Sequence, residues 1–309
     1  MALKLGLQTG QQDCTYEDLR RLWRLADASG FDWISVWDHH FESPPVNGQH
    51  VAYETIAIMS ALALETTNVR VGCLVFSPSY RNPGLIAKAV TTIDHLSKGR
   101  VEVGLGAGWH EPEFKAFGIP FPRAGVREDM LEEVAQIVRQ MLHEGEANFE
   151  GKHFTMTHAY NVPRPVQAHV PVWIGGVGEK RTIPAAAKYA DAWNAAYMSP
   201  DVFRGKLARV GEACDRIGRD PHTMANAANV GFYLGVDQKS AEAKRKALPW
   251  GPDDPRYHGQ LTGTAREAVE QVGRYVEAGA QQVNLAMRAP FDWEAMQAFI
   301  EEVMPAFKD

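Results

Sequence analysis

The segment Gly175-Gly176-Val177-Gly178-Glu179-Lys180-Arg181-Thr182 follows the apolar run VPVWI and precedes a helical pattern, so its glycines sit where a strand hands over to a helix. Glycine lets the backbone approach a ligand closely, and the first turn of a helix presents free N–H groups and the positive end of its dipole. Lys180 and Arg181 add two cations where cations are otherwise unfavourable. An anion such as phosphate would explain them. A tight strand–helix turn with two solvated cations would explain them too, and the pattern alone leaves both open. The spacing is neither GxGxxG nor Walker A, so no Rossmann or P-loop site follows.

A second chemical group is Trp37-Asp38-His39-His40, at the end of another apolar run. Neighbours on an extended segment point to opposite sides, so at most one of the two histidines faces a given ligand. That histidine could be a general acid or base, or a donor to a substrate carbonyl; it could also be a partly buried loop histidine. A metal site is not expected: HxH and HExxH are absent, and His110-Glu111 runs into Pro112 instead of forming a helical ligand pair. Ser77 and Ser79 lie outside any GxSxG elbow, which leaves serine hydrolase chemistry unsupported. Trp37, Phe76 and Trp109, beside glycine-rich strand ends, could frame a flat aromatic ligand or simply cap a core.

These residues need a scaffold that brings strand ends together. Apolar periodicity predicts strands at 3–8, 32–37, 69–76, 100–108, 170–176, 191–197, 229–236 and 281–287. Helices are expected at 16–29, 52–65, 83–96, 125–144, 182–189, 200–217, 264–278 and 292–307. Residues 145–170, with short β-like pieces and several prolines, and 248–262, rich in Pro and Gly, read as loop insertions; the insertion aromatics Phe114, Phe117, Phe121, Trp250 and Tyr257 hint at an apolar substrate or are buried for stability. Eight strand–helix alternations without a linker predict an α/β fold, a (β/α)8 TIM barrel with loop insertions, over one domain at 1–309. In that fold the active site lies at the C-terminal ends of the strands, which is where Asp38, Ser77, Gly108 and Gly175 fall.

Composition narrows the function further. The chain has 309 residues, 45% hydrophobic and 23% charged, with 32 Lys+Arg against 38 Asp+Glu and a net charge of −6. A mildly acidic chain without a basic block is a poor nucleic-acid binder. No apolar run reaches the ~20 residues of a membrane span. Cys14, Cys73 and Cys214 are odd in number and far apart, so neither a disulfide framework nor a zinc knuckle is expected. MALKLGLQTGQQD reads as a first strand, not a signal peptide, and a cytoplasmic location is expected.

The segments GFDWISVWDHHF, VRVGCLVFSPSYRNPGLIAKAVTTIDHLSKGRVEVGLGAGWHEPEFKAFGIPF and VPVWIGGVGEKRTIPAAAKYADAWN, with a weaker match in GTAREAVEQVGRYVEAGAQQVNLAM, resemble the bacterial luciferase-like superfamily of flavin and deazaflavin barrels. Within it the chain looks most like the branch that uses the deazaflavin coenzyme F420. The resemblance implies a usually dimeric barrel with the cofactor ring in its mouth. Asp38 would then bond the ring or ribityl region, and His39 would be the acid/base facing a small-molecule substrate. Leu74 and Val75 would form the bulge on the third strand where a non-prolyl cis peptide presses on the ring, next to Ser77. Ala107 and Gly108 would line the ring or ribityl chain. Gly175, Gly176, Val177 and Gly178 would hold the phosphate, with Lys180, Arg181 and Arg81 as nearby cations.

One departure stands out. Some deazaflavin dehydrogenases carry a catalytic glutamate directly after the glycine of strand four. Trp109 occupies that place here, and Glu111 and Glu113 do not align with it. Three functions follow from the resemblance. One is hydride transfer with F420, to or from a small organic substrate. The second is an FMN-dependent monooxygenase of the same fold; the cofactors differ at one ring atom, and the flavin supports oxygen activation. The third is a non-catalytic flavin-binding barrel, against which the complete GGVGEKR loop and Asp38-His39 argue. A homodimer through 52–65 and 83–96 is expected from apolar residues on wide helix faces, including Ile56, Ile58, Met59, Leu62 and Leu64.

Overall fold

The eight-strand alternation closes. The structure, a computed structural model, describes residues 2–42 and 49–308. Strands β1 (Lys4–Thr9), β2 (Trp33–Val36), β3 (Arg70–Phe76) and β4 (Val101–Leu105) pair in parallel and in sequence order. A hairpin, β5 (Glu146–Glu150) and β6 (Thr155–Tyr160), stands apart from them. The barrel resumes with β7 (Val172–Gly175), β8 (Ala192–Ala196) and β9 (Ala225–Leu234). A short strand, β10 (Gln260–Gly263), pairs only with Gly231–Leu234 at the upper end of β9. The last, β11 (Gln282–Met287), joins β9 to β1, and β8 pairing with β9 completes the ring. The fold is a (β/α)8 barrel with insertions.

The helices between strands are α1 (Tyr16–Ala28), α2 (Thr55–Glu65), α3 (Pro83–Ser97), α4 (Glu111–Ala116), α5 (Ala124–Arg139), α6 (Thr182–Tyr189), α7 (Pro200–Asp215), α8 (Gln238–Lys246), α9 (Ala265–Glu277) and α10 (Trp293–Ala298). Local chemistry sets their ends. Thr15 and Asp18 form a capping box on α1, whose Leu19, Leu22, Trp23 and Ala26 recur at helical spacing and are buried. Asn82 caps α3 with Pro83 in its first turn, and α3 stops where Lys98 and Gly99 take φ of 57° and 84°.

The β-like pieces expected within 145–170 form the β5–β6 hairpin. Several other expectations are corrected. The 248–262 insertion runs into β10. Helices α4 and α8 were not anticipated. The helices expected at 125–144 and 292–307 each give way to a π-helical turn, at Gln140–Glu144 and Phe299–Val303. The fourth strand ends at Leu105, three residues early, and β9 starts at Ala225, four residues early.

The main core lies between barrel and helices. A smaller one fills the barrel itself: Trp33 of β2 stacks on Trp173 of β7, with centroids 5.0 Å apart and planes at 9°, among Leu74, Ala192 and Ala227. This stack supports β3 from below at the point where its pairing with β4 slips, between Cys73 and Phe76.

Candidate active site

A cavity of 560 Å³ opens at the C-terminal ends of the strands, within the range of small-molecule and cofactor sites. Its floor is the slip in β3, where Leu74 and Val75 are joined by a non-prolyl cis peptide as expected. Gln8 at the end of β1 donates to the Leu74 carbonyl at 2.8 Å. Small residues crowd Val75: a Cβ on Gly106 would meet its Cγ2 at 2.3 Å, and one on Gly175 its Cγ1 at 2.8 Å. Those glycines permit the bulge. The Ser77 hydroxyl faces the cavity region buried and without a partner among the described residues. An orphaned buried hydroxyl costs free energy unless a ligand or water satisfies it.

Asp38 and His39 follow β2. Asp38 is fully committed to protein partners: Arg81 Nη1 reaches its two oxygens at 2.7 and 2.8 Å, and the Ser77 amide donates at 2.9 Å. Arg81 also binds Glu54 at 2.6 Å, so its charge is spent inside the protein and not on a phosphate. Burial works against the Arg81 cation, but Asp38 and Glu54 outweigh it and hold it charged.

His39 faces the cavity, whereas His40 turns away to stack with Tyr80 and Phe117. His39 Nδ1 lies 2.8 Å from Glu113 Oε1, and His110 Nδ1 lies 2.6 Å from the same oxygen. Tyr80 donates to Glu113 Oε2 at 2.5 Å. The Glu113 side chain is 0% exposed. Burial alone would raise its pKa; the bonds from His39, Tyr80 and His110 outweigh burial and bring it down to about 2. Burial, then Glu113, push the Tyr80 phenol upward, so it stays a donor. His39, His110 and Glu113 are the metal-like grouping among the described residues. Two ligands of one tetrahedral zinc would stand about 3.3 Å apart, given bonds of ~2.0–2.2 Å. The observed 2.6 and 2.8 Å are hydrogen-bond lengths.

The other expected residues divide. Gly108 lines the cavity; Ala107 packs on the core. Gly175 touches the bulge, but Gly176, Val177, Gly178, Lys180 and Arg181 stand outside the cavity lining. Gly176 has φ +125°, and a Cβ there would meet Thr182 Cγ2 at 3.0 Å. The amides of Val177 to Lys180 make no hydrogen bond to a described residue, leaving a row of donors at the start of α6. Arg181 is turned onto α5, where it pairs with Asp129 and donates to the Gly125 carbonyl at 2.9 Å. Lys180 and Arg181 line a separate charged groove with Glu128, Asp129 and Glu132.

The remaining walls carry Trp250, an insertion aromatic that the sequence singles out, and residues it does not: Tyr197 after β8, Tyr233 on β9, Arg288 after β11 and Arg256 before β10. Arg288 lies over the Trp37 ring at 4.0 Å and donates to the Tyr197 hydroxyl at 2.7 Å. It has no carboxylate partner among the described residues, whereas Arg256 pairs with Asp254. Trp109 is 59% exposed at the rim.

Barrel, bulge and glycine loop together define a class of oxidoreductase barrels. The chain belongs to the luciferase-like monooxygenase family, whose model matches residues 3–298. It is 28% identical over 324 residues to an F420-dependent glucose-6-phosphate dehydrogenase of Rhodococcus erythropolis, covering 93% of this chain and 92% of that one. It is 25% identical to a 5,10-methylenetetrahydromethanopterin reductase of Archaeoglobus fulgidus, over 99% and 100% of the two chains. An uncharacterized protein of Mycobacterium tuberculosis, Rv0953c, is 34% identical over 135 residues; that match spans 44% of this chain and about half of the relative, 47%. The fold is shared with an F420-dependent secondary alcohol dehydrogenase, with a TM-score of 0.85 and 24% identity over 100% of both chains. It is shared as well with the monooxygenase RslO1 of Streptomyces bottropensis, with a TM-score of 0.82 and 22% identity over 99% and 100%. No helix among the described residues is long and apolar enough to cross a membrane.

Proposed function

We propose that the protein transfers hydride between a deazaflavin, coenzyme F420, and a small organic substrate, as one domain over 1–309. The observation that carries this reading is the cavity at the strand ends, lined by the β3 bulge and by a histidine whose Nδ1 is tied to a buried carboxylate, in a chain related over its length to F420-dependent enzymes. The residues present suit such a group. The orphaned Ser77 hydroxyl would meet it, Leu74, Val75 and Gly108 would flank its ring, and the free amides of Val177 to Lys180 would take its phosphate. When bound, the deazaflavin supplies a two-electron hydride donor or acceptor. His39 gives or takes the substrate proton at the nitrogen that faces the cavity. Asp38 serves by fixing Ser77 and Arg81, and not as a free ligand.

The family description favours one second reading, an FMN-dependent monooxygenase. Titrating the purified protein with F420 and with FMN, oxidised and reduced, separates the two. F420 is expected to bind at least tenfold tighter, by fluorescence or absorbance; tighter FMN binding would move the assignment to the second reading. We also propose a homodimer through α2 and α3. Ile58, Met59 and Leu62 are spent on the core, while Leu64 on α2 and Leu85 on α3 stay 65% and 64% exposed and so are free to meet a partner.

A further inference from the structure

Glu113 is a buried carboxylate with three side-chain donors on two oxygens, and it lies outside the lining of the cavity. His110 is 1% exposed; its Nδ1 is on Glu113 and its Nε2 is buried with no partner among the described residues. Nothing about packing requires two imidazoles on one oxygen. A leucine would fill the space at lower desolvation cost.

We propose that Glu113 is the positioning residue for His39, holding its imidazole in the Nδ1–H form so that the Nε2 lone pair faces the cavity, with His110 and Tyr80 fixing the carboxylate in place. The inference rests on the reading of His39 as the acid–base group and adds what sets its proton. An ionised carboxylate only accepts hydrogen bonds, so each ring nitrogen on Oε1 must carry a proton. The lock therefore applies to both rings. Their outcomes differ. His39 Nε2 opens to the cavity and can take a proton from a substrate hydroxyl. The resulting imidazolium, with Nδ1–H still on Glu113, is balanced by that carboxylate's negative charge. His110 Nε2 has no acceptor and no solvent, so a second proton there would be a buried N–H without a hydrogen-bond partner. The unit thus holds one extra proton, and holds it on the ring that meets the substrate. The other charged pair beside it, Asp38–Arg81, is already neutralised internally. Tyr80 keeps its proton against Oε2 and so fixes the orientation of the carboxylate.

The test reads the tautomer directly. In protein labelled with ¹⁵N-histidine, long-range ¹H–¹⁵N correlation spectra, assigned through His39→Asn and His110→Asn, should show Nδ1–H and bare Nε2 at both rings near pH 8. Glu113→Gln can keep an acceptor oxygen toward both rings by turning its NH2 to the Tyr80 hydroxyl oxygen, so the tautomers should persist while the negative charge that balances the His39 imidazolium is lost. Turnover should fall about 100-fold in kcat with cofactor Kd within twofold, and Glu113→Asp should recover part of the kcat. Nε2–H at His39 in the unaltered protein would overturn the proposal, as would Glu113→Gln with unchanged kcat. If Glu113→Gln fails to fold, the spectrum of the unaltered protein decides alone. Full turnover in His39→Asn would instead remove the acid–base reading and leave the tautomer result standing.

Discussion

Asp38 gives both carboxylate oxygens to a single nitrogen of Arg81, at 2.7 and 2.8 Å, with side chains 0% and 13% exposed. Removing one partner of a buried pair strands the other charge, a loss of about 3–5 kcal/mol. Arg81→Met should therefore lower the urea-unfolding free energy by about 3 kcal/mol, and Asp38→Asn with Arg81→Met together should cost less than the sum of the two. Additive losses would show that the pair contributes no coupling.

Gly176→Val should abolish cofactor binding. The structure supplies a reason beyond ligand sterics: φ of +125° excludes valine, and its Cβ would press on Thr182. Arg181→Ala should change cofactor Kd less than threefold, because Arg181 is spent on Asp129 and α5. A large Arg181 effect in fluorescence titration would place that cation on the ligand after all.

Arg288 is the cavity cation that lacks a carboxylate among the described residues. Arg288→Ala should raise substrate KM about tenfold while cofactor Kd stays within twofold. The measurement is steady-state kinetics beside a cofactor titration, and an unchanged KM would show that substrate does not reach β11.

Glu113 also sets an acid limit on stability. Its folded pKa of about 2 lies below its ordinary value of 4.5, so its contribution is whole above pH 4.5 and drains away as pH falls toward 2. The full contribution is on the order of 3 kcal/mol, of which about 2 is lost by pH 3. Urea melts at pH 6 and pH 3 should show Glu113→Gln losing less with acidification than the unaltered protein. Equal losses would contradict the assignment.

If α2 and α3 carry the dimer, Leu64→Asp with Leu85→Asp should yield a 34 kDa particle by light scattering, where the unaltered protein gives twice that mass.

The barrel was legible because its strands are buried on both faces and read as apolar runs, and because α1, α3 and α9 announce themselves with caps. The cavity floor was legible through the resemblance. Glu113 was not, for a specific reason. Pro112 was taken as breaking the His110-Glu111 pair, but proline in a first turn begins a helix, and α4 then sets His110 and Glu113 three apart on one side. Gln8, Tyr197 and Arg288 could have been found by extending the strand-end rule to the first, sixth and eighth strands. Trp250 was legible as an aromatic of a loop insertion, but Arg256 was not, since its place depends on β10 pairing with the top of β9, a contact no local pattern encodes.

That short β10 ladder divides labour across the mouth. Around the ring, β9 stands opposite β3, so the excursion from α8 to β10 faces the cis-peptide bulge from the far rim. It is tethered to the barrel by four residues of pairing. Evolution can therefore rewrite that wall, swapping Trp250 and Arg256 for other side chains, while His39, Glu113 and the glycine loop stay untouched on the other half. A library confined to 248–262 would sample new substrates without re-solving the chemistry.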